Sequence, residues 1–200
     1  MSYIKYITEI KNSNVIVLYP GKFQPFHVGH QYSYKKLRES FPENEIYLTT
    51  SNVERDAKHP FSFEEKVKIA TTMFPVIDED HIVEAHHPYD VKAVLESLDL
   101  DPKETIVVVA IGEKDFDERF EDDPYWIDFD GMLDYTAKHH VYKYKLPQLQ
   151  LQIGQEIISG SVIRRIFSGD DEFQKKRLFK TIYPEWNGKI YELLNKRIEK

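Results

Sequence analysis

The chain has no cysteine in its 200 residues. That absence removes disulfides, thiolate metal sites and a cysteine nucleophile together. It also has no apolar run approaching the ~20 residues that a membrane span requires, and the opening MSYIKYITEIKNSN holds no apolar signal core. These features predict a soluble cytoplasmic protein without a membrane partner. Basic residues are not in excess either: 27 Lys and Arg against 34 Asp and Glu leave a net charge of -7. A nucleic acid is therefore not expected as the main ligand, because polyanion binding relies on a basic face. Internal repeats and low-complexity segments are missing as well.

What is present is the composition of a globular protein, 41% hydrophobic and 14% aromatic, which at this length predicts one domain over 1–200 with one sizeable core. Its most informative stretch runs from Val15 to His30, VIVLYPGKFQPFHVGH. Val15–Tyr19 is a continuous apolar run of strand length, as expected for a strand buried on both faces. It stops at Pro20-Gly21. If His27 opens a helix, His30 lies nearly one turn later and both imidazoles face the same way from the helix start. That start offers free N–H groups and a positive dipole end, and Gly21 allows close backbone approach, so phosphate is the natural guest.

The rest of the chain alternates. A helix is predicted from His27 to about Glu39, with Val28, Tyr32 and Leu37 inward, then a strand over Glu45–Thr50. The loop that follows is basic at Arg55, Lys58 and His59. A capping box, Ser62 with Glu65, starts a helix to Phe74 whose apolar side is Val67, Ile69, Ala70 and Met73. Strand His81–Ala85, helix Tyr89–Leu98 and strand Thr105–Ile111 follow, the last ending at Gly112. This spacing predicts right-handed βαβ units: an α/β fold with a Rossmann-like open parallel sheet and helices on both faces. Residues 116–134 read as an inserted acidic, aromatic flap. Tyr142–Leu146 reads as a fifth strand and 148–152 as a short edge. Two C-terminal helices over 171–200 separate at Pro184, with Phe173, Leu178, Phe179 and Ile182 inward on the first. Residues 3–10 are compatible with an amphipathic turn or an edge strand.

The segment ISGSVIRRIF, 158–167, predicts a helix capped by Ser159 or Ser161 with Arg164 and Arg165 in its first turns. Positive charge there opposes the helix dipole and points to a bound anion. Of the two, Arg164 is the ligand candidate and Arg165 a solvent or salt-bridge residue. His27 and His30 alone would also suit a metal site, with His86-His87 or His139-His140 supplying a third ligand, or an ordinary surface.

GKFQPFHVGH, 21–30, resembles the first signature of the HIGH-motif nucleotidyltransferases, G-R/S-F-x-P-x-H-x-G-H, and ISGSVIRR, 158–165, resembles their second. With Gln24, the first is most similar to the form found in nicotinamide-nucleotide adenylyltransferases. Three features depart from the pattern: Lys22 stands where arginine is frequent, Gly160 where serine is common, and 116–134 matches no part of it. The resemblance implies transfer of AMP from ATP to a phosphorylated acceptor, first of all nicotinamide mononucleotide to give NAD and pyrophosphate. Other acceptors, among them phosphopantetheine and sugar- or alcohol-phosphates, transfer from CTP, and a non-catalytic nucleotide-binding regulator are the alternatives. It implies catalytic roles for His27, His30, Lys22 and Arg164, and nucleotide contacts at Gly21, Phe23, Gly29, Gly112, Asp115, Ile158, Ser159 and Ser161. Lys58, Lys66 and Trp126 are acceptor candidates, although a tryptophan in an insertion also serves as its core. Mg²⁺ is the implied cofactor, carried by the triphosphate and not by a protein ligand set. A homo-oligomer is a further possibility the resemblance raises.

Overall fold

A computed structural model describes residues 14–53, 57–120, 126–131, 141–147, 149 and 151–198. The unassigned segment 3–10, Arg55, Tyr125, His139 and His140, and parts of 116–134 and 148–152 lie outside the described residues.

Six parallel strands form the main sheet: β1 (Asn14–Pro20), β2 (Glu45–Thr50), β3 (Ile82–Glu84), β4 (Thr105–Gly112), β5 (Ile127–Asp128) and β6 (Val141–Leu146), in the order β3-β2-β1-β4-β6-β5. The helices of seven residues or more among the described residues are α1 (Val28–Ser40), α2 (Phe63–Met73), α3 (Val91–Ser97), α4 (Gly160–Phe167), α5 (Glu172–Ile182) and α6 (Gly188–Ile198). Alternate residues of the two central strands feed two cores, as the two-residue period of a strand requires. Val17, Ile106, Val108 and Ala110 join α1, α2 and α4–α6 on one face. Ile16, Leu18, Val107, Val109 and Ile111 join α3 on the other. Both faces being apolar explains why these strands read as unbroken hydrophobic runs. The chain moves outward from β1 to β3 and then returns to β4 on the opposite side of β1. Strand order thus reverses between β1 and β4, and the crevice beyond their carboxyl ends is where open α/β sheets take ligands.

Several expectations shift. His27 is the N-cap of α1 instead of its first residue. The buried residues of α1 are Gly29, Ser33, Tyr34 and Leu37, while Val28 and Tyr32 are only partly covered. The described part of 116–134 is not a separate flap. Phe120 is 9% exposed and packs into the second core, Trp126 stacks on it at 5.0 Å, and Ile127–Asp128 adds an edge strand to the main sheet. Gln152–Ile153 belongs to a two-stranded antiparallel hairpin with Glu156–Ile157, β7 and β8, and not to an edge of the main sheet. Phe173 stands 75% exposed, because α5 directs Lys175, Leu178, Phe179 and Ile182 inward instead.

Candidate active site

The loop leaving β1 is anchored at each step. The Gly21 amide donates to the Thr49 carbonyl at 3.0 Å, and the Thr50 hydroxyl donates to the Lys22 carbonyl at 3.3 Å. A Cβ on Gly21 would lie 2.4 Å from the Phe23 ring, so glycine is required by that close approach. Phe23 itself adopts a left-handed backbone, φ 47°, and is held there by packing against Tyr19, Phe26 and His30. Gln24 is the anchor that sequence reasoning registered only as a family mark. Its buried amide pairs with the Phe61 backbone in both directions, Nε2 donating to the carbonyl at 3.2 Å and Oε1 accepting from the amide at 3.1 Å. This ties the first signature to the loop that carries Lys58 and His59.

The two histidines cap α1 reciprocally. His27 Nδ1 accepts from the Gly29 amide at 3.1 Å, and His30 Nδ1 accepts from the His27 amide at 3.2 Å. The ring centroids are 4.0 Å apart. Gly29 makes room for the arrangement, since a Cβ there would sit 2.8 Å from His27 Cε1. Burial lowers His27 to a pKa of about 4, and burial followed by the charge of His27 holds His30 well below 6.5. Both rings are therefore neutral at pH 7. With each Nδ1 accepting, the proton resides on Nε2, which leaves each ring a hydrogen-bond donor on its far side.

The second signature forms the opposite wall. Ser159 caps α4 through the Val162 amide, and its hydroxyl is 2.8 Å from that of Ser161. Arg164 reaches back along the helix and donates from Nη1 to the Gln24 carbonyl at 2.9 Å. A Cβ on Gly160 would approach Arg164 Nη1 to 3.0 Å and the Gln24 carbonyl to 3.2 Å, so the departure from serine leaves space for this contact. Placing the arginines in the first turns was incorrect. In an eight-residue helix Arg164 and Arg165 fall in the last turn, where the dipole favours them. The inference of an anion from opposed charge therefore lapses, and what remains is the reach of one side chain. Arg165 forms an ion pair with Glu156.

Two cavities meet at this loop. A groove of about 310 Å³ is lined by Lys22, Phe23, Gln24, Pro25, His30, Lys58, His59, Gly160, Ser161 and Arg164, so both signatures face one space. Beside it a cavity of about 500 Å³ lies beyond the ends of β1 to β3, bordered by Gly21, Lys22, Ser51, His59, His86, His87, Tyr89 and Asp115. Lys22 and His59 belong to both. His59 was noted in sequence only as part of a basic loop, and His86-His87 only as a possible third metal ligand; Tyr89 was not noted as a ligand residue, and its place after β3 is the one signal that could have found it.

Other expected site residues lie elsewhere. His27, 9% exposed, does not line the groove. Ile158 is buried in the core, its amide bonded to the Leu151 carbonyl, and makes no wall of either cavity. Gly112 ends β4 without lining either cavity, and Asp115 borders the larger one, within 3.5 Å of the Tyr89 hydroxyl, not the groove with Arg164. Trp126 stacks on Phe120, partly buried against the second core, and lines neither cavity. Lys66 is 2% exposed, bonded to the Thr50 hydroxyl and the Ser51 carbonyl, and lines neither cavity. Among the described residues no group of three or more His, Asp or Glu converges as a metal site. The groove presents N–H and O–H donors and cations, a donor set suited to an anion and unsuited to holding a bare divalent cation.

The chain resembles known proteins in sequence and in fold. The profile of the cytidylyltransferase-like family matches residues 18–166. A nicotinamide-nucleotide adenylyltransferase of Methanocorpusculum labreanum is 39% identical over 54 residues, 27% of this chain and 32% of that protein. Among solved structures, a bifunctional NMN adenylyltransferase/ADP ribose pyrophosphatase from Francisella tularensis, complexed with AMP and a manganese ion, superposes with a TM-score of 0.52 at 15% identity, covering 94% of this chain and 50% of its own. The chain thus spans about half the length of that protein. The Plasmodium falciparum nicotinic acid mononucleotide adenylyltransferase, complexed with NaAD, superposes with a TM-score of 0.53 at 15% identity, covering 92% and 95%. At such identity the likeness is one of fold.

Proposed function

Since the chain belongs to the cytidylyltransferase-like family, a superfamily of HIGH-motif nucleotidyltransferases, we propose that it transfers the AMP moiety of ATP to a phosphorylated acceptor, with a pyridine mononucleotide as the first candidate. The observation that carries this reading is the groove in which His30, Lys58, Ser161 and Arg164 converge, its two walls joined by the bond from Arg164 to the Gln24 carbonyl. The relatives' names supply the acceptor: nicotinamide nucleotide in one, nicotinic acid mononucleotide in another.

In the reaction an oxygen of the acceptor phosphate bonds to the α-phosphorus of ATP, the bond to the bridging oxygen breaks, and pyrophosphate leaves. No covalent enzyme intermediate is needed, and the protein contributes positioning and charge stabilisation. The triphosphate lies in the groove. His30 donates from Nε2, the Ser161 hydroxyl and the fork of Arg164 hold the outgoing pyrophosphate, and Lys58 adds charge at the open side. Lys22, shared by both cavities, stands where donor and acceptor meet and stabilises the charge that develops in line. His27 holds the helix start and the His30 ring in place. The acceptor occupies the larger cavity, among His59, His86, His87 and Asp115. A divalent cation such as Mg²⁺, bound with the nucleotide, would neutralise phosphate charge, with the triphosphate and not the groove residues as its ligands.

The test incubates the protein with Mg²⁺, ATP or CTP, and a panel of phosphorylated acceptors while pyrophosphate is followed. Release with ATP and nicotinamide or nicotinic acid mononucleotide is expected. Nucleotide binding without release for any acceptor would refute the reading. In His30→Ala, turnover should fall far more than ATP affinity.

A further inference from the structure

Lys66 has no part in the chemistry above, yet it is among the most enclosed charged groups in the chain, 2% exposed. From the first turn of α2 its ammonium donates to the Thr50 hydroxyl at 3.2 Å and to the Ser51 carbonyl. It forms no ion pair with any described residue, and burial lowers its pKa to about 8. An enclosed ammonium bonded only to neutral oxygens, with the Glu84 carboxylate offsetting its burial in part and from beyond ion-pair distance, is costly, and a methionine or leucine would fill the same volume without that cost. The bonds it makes are directional, however. The Thr50 hydroxyl, wholly buried, accepts from Lys66 and so turns its own proton to the Lys22 carbonyl, 3.3 Å away. Ser51 is a wall of the larger cavity. The base from which Lys66 reaches is itself pinned, because Glu65 closes the Ser62 capping box and accepts from Arg197 Nε at 2.7 Å.

We propose that Lys66 is a positioning residue: its ammonium orients the Thr50 hydroxyl and the Ser51 carbonyl, and this relay fixes the backbone at Lys22, so that the Lys22 side chain stands at the border of the two cavities. The functional part rests on the reading that Lys22 works at the point of transfer. The neighbouring threonine serves the other wall of the same cavity, as Thr49 donates from Oγ1 to the Pro88 carbonyl at 2.7 Å. Successive residues at the end of β2 thus hold opposite sides of one space.

Amide hydrogen exchange and pyrophosphate release are measured on wild type, Lys66→Met, Lys66→Arg and Thr50→Val, each also in a Lys22→Met background. Exchange at the Gly21 amide, which is bonded to the Thr49 carbonyl beside Lys22, should quicken about tenfold in Lys66→Met and Thr50→Val, the effect of losing one buried hydrogen bond, with α6 unchanged. Turnover should fall by about the same factor, Lys66→Arg should recover part of it, and neither Lys66→Met nor Thr50→Val should cost anything further once Lys22 is Met. Unaltered or uniformly raised exchange, or losses that add to that of Lys22→Met, would overturn the proposal. If Lys66→Met does not fold, Thr50→Val carries the same comparison. If wild type releases no pyrophosphate with any substrate, the functional reading fails, while the exchange pattern still decides whether Lys66 holds the loop.

Discussion

The neutrality of the His27 ring can be tested by acid. Its folded pKa of about 4 lies below the 6.5 of an open imidazole, and the cause is burial. A depressed pKa gives stability that is fully present above the unfolded value and is lost as pH falls through the folded one. Unfolding therefore takes up a proton at this residue below about pH 6.5, and the whole effect, near two and a half pH units, amounts to about 3 kcal/mol, of which about 2 kcal/mol is gone at pH 5. His27→Asn isolates the term. Asparagine is a favourable N-cap whose Oδ1 can accept from the Gly29 amide in place of Nδ1, and it does not titrate. Urea unfolding of both proteins is followed from pH 7.5 to 5. The variant should gain about 2 kcal/mol relative to wild type across that range, whatever their difference at pH 7.5. A wild type to variant difference independent of pH would mean that the ring titrates as an exposed imidazole, and the picture of two neutral rings donating from Nε2 would be wrong.

Two further outcomes follow from the geometry. Gln24→Met leaves the buried Phe61 amide and carbonyl without partners, a loss of about 3 kcal/mol at the usual cost of such groups, which at this chain length lowers Tm by about 6–12 °C in a thermal melt; an unchanged Tm would mean that water or another side chain satisfies them. Gly29→Ala gains about 1 kcal/mol of helix propensity and loses a similar amount from the cap as His27 is displaced. Its Tm should hardly move while pyrophosphate release drops, and retention of full turnover would show that the His27 ring position is immaterial.

The central strands were legible because burial on both faces writes an uninterrupted apolar run, as in Val15–Tyr19 and Thr105–Ile111. The start of α2 was legible because reciprocal capping needs particular residues three apart, and Ser62 with Glu65 forms that pair. β5 was not. Two exposed residues, Ile127 and Asp128, carry no period, and their strand exists only because β6 offers them an edge. Phe173 misled because helical spacing does not say which way a helix is rotated. In the candidate site Lys22 and His30 of the first motif share one groove with Ser161 and Arg164 of the second, but the direction of side chains escaped: Arg164 is placed by its length and not by its turn of helix, and Ile158 turns inward. Lys66 was an acceptor candidate through the family resemblance; its enclosure at the end of β2, bonded to Thr50 and Ser51, is not written in the sequence.

The bond between the Gln24 carbonyl and Arg164 joins residues 140 positions apart. During synthesis at 5–20 residues per second, the guanidinium follows its acceptor by roughly 7–28 s. For that interval the first signature exists without its opposite wall, held by its bonds to Thr49 and Thr50 and by the strap from Gln24 to Phe61, 37 positions away. A nascent chain can therefore shape the floor of the groove early but closes it only when α4 emerges. Any agent that peels α4 from the sheet in the finished protein returns the groove to that half-built stage, leaving the larger cavity beyond β1 to β3 without a neighbour.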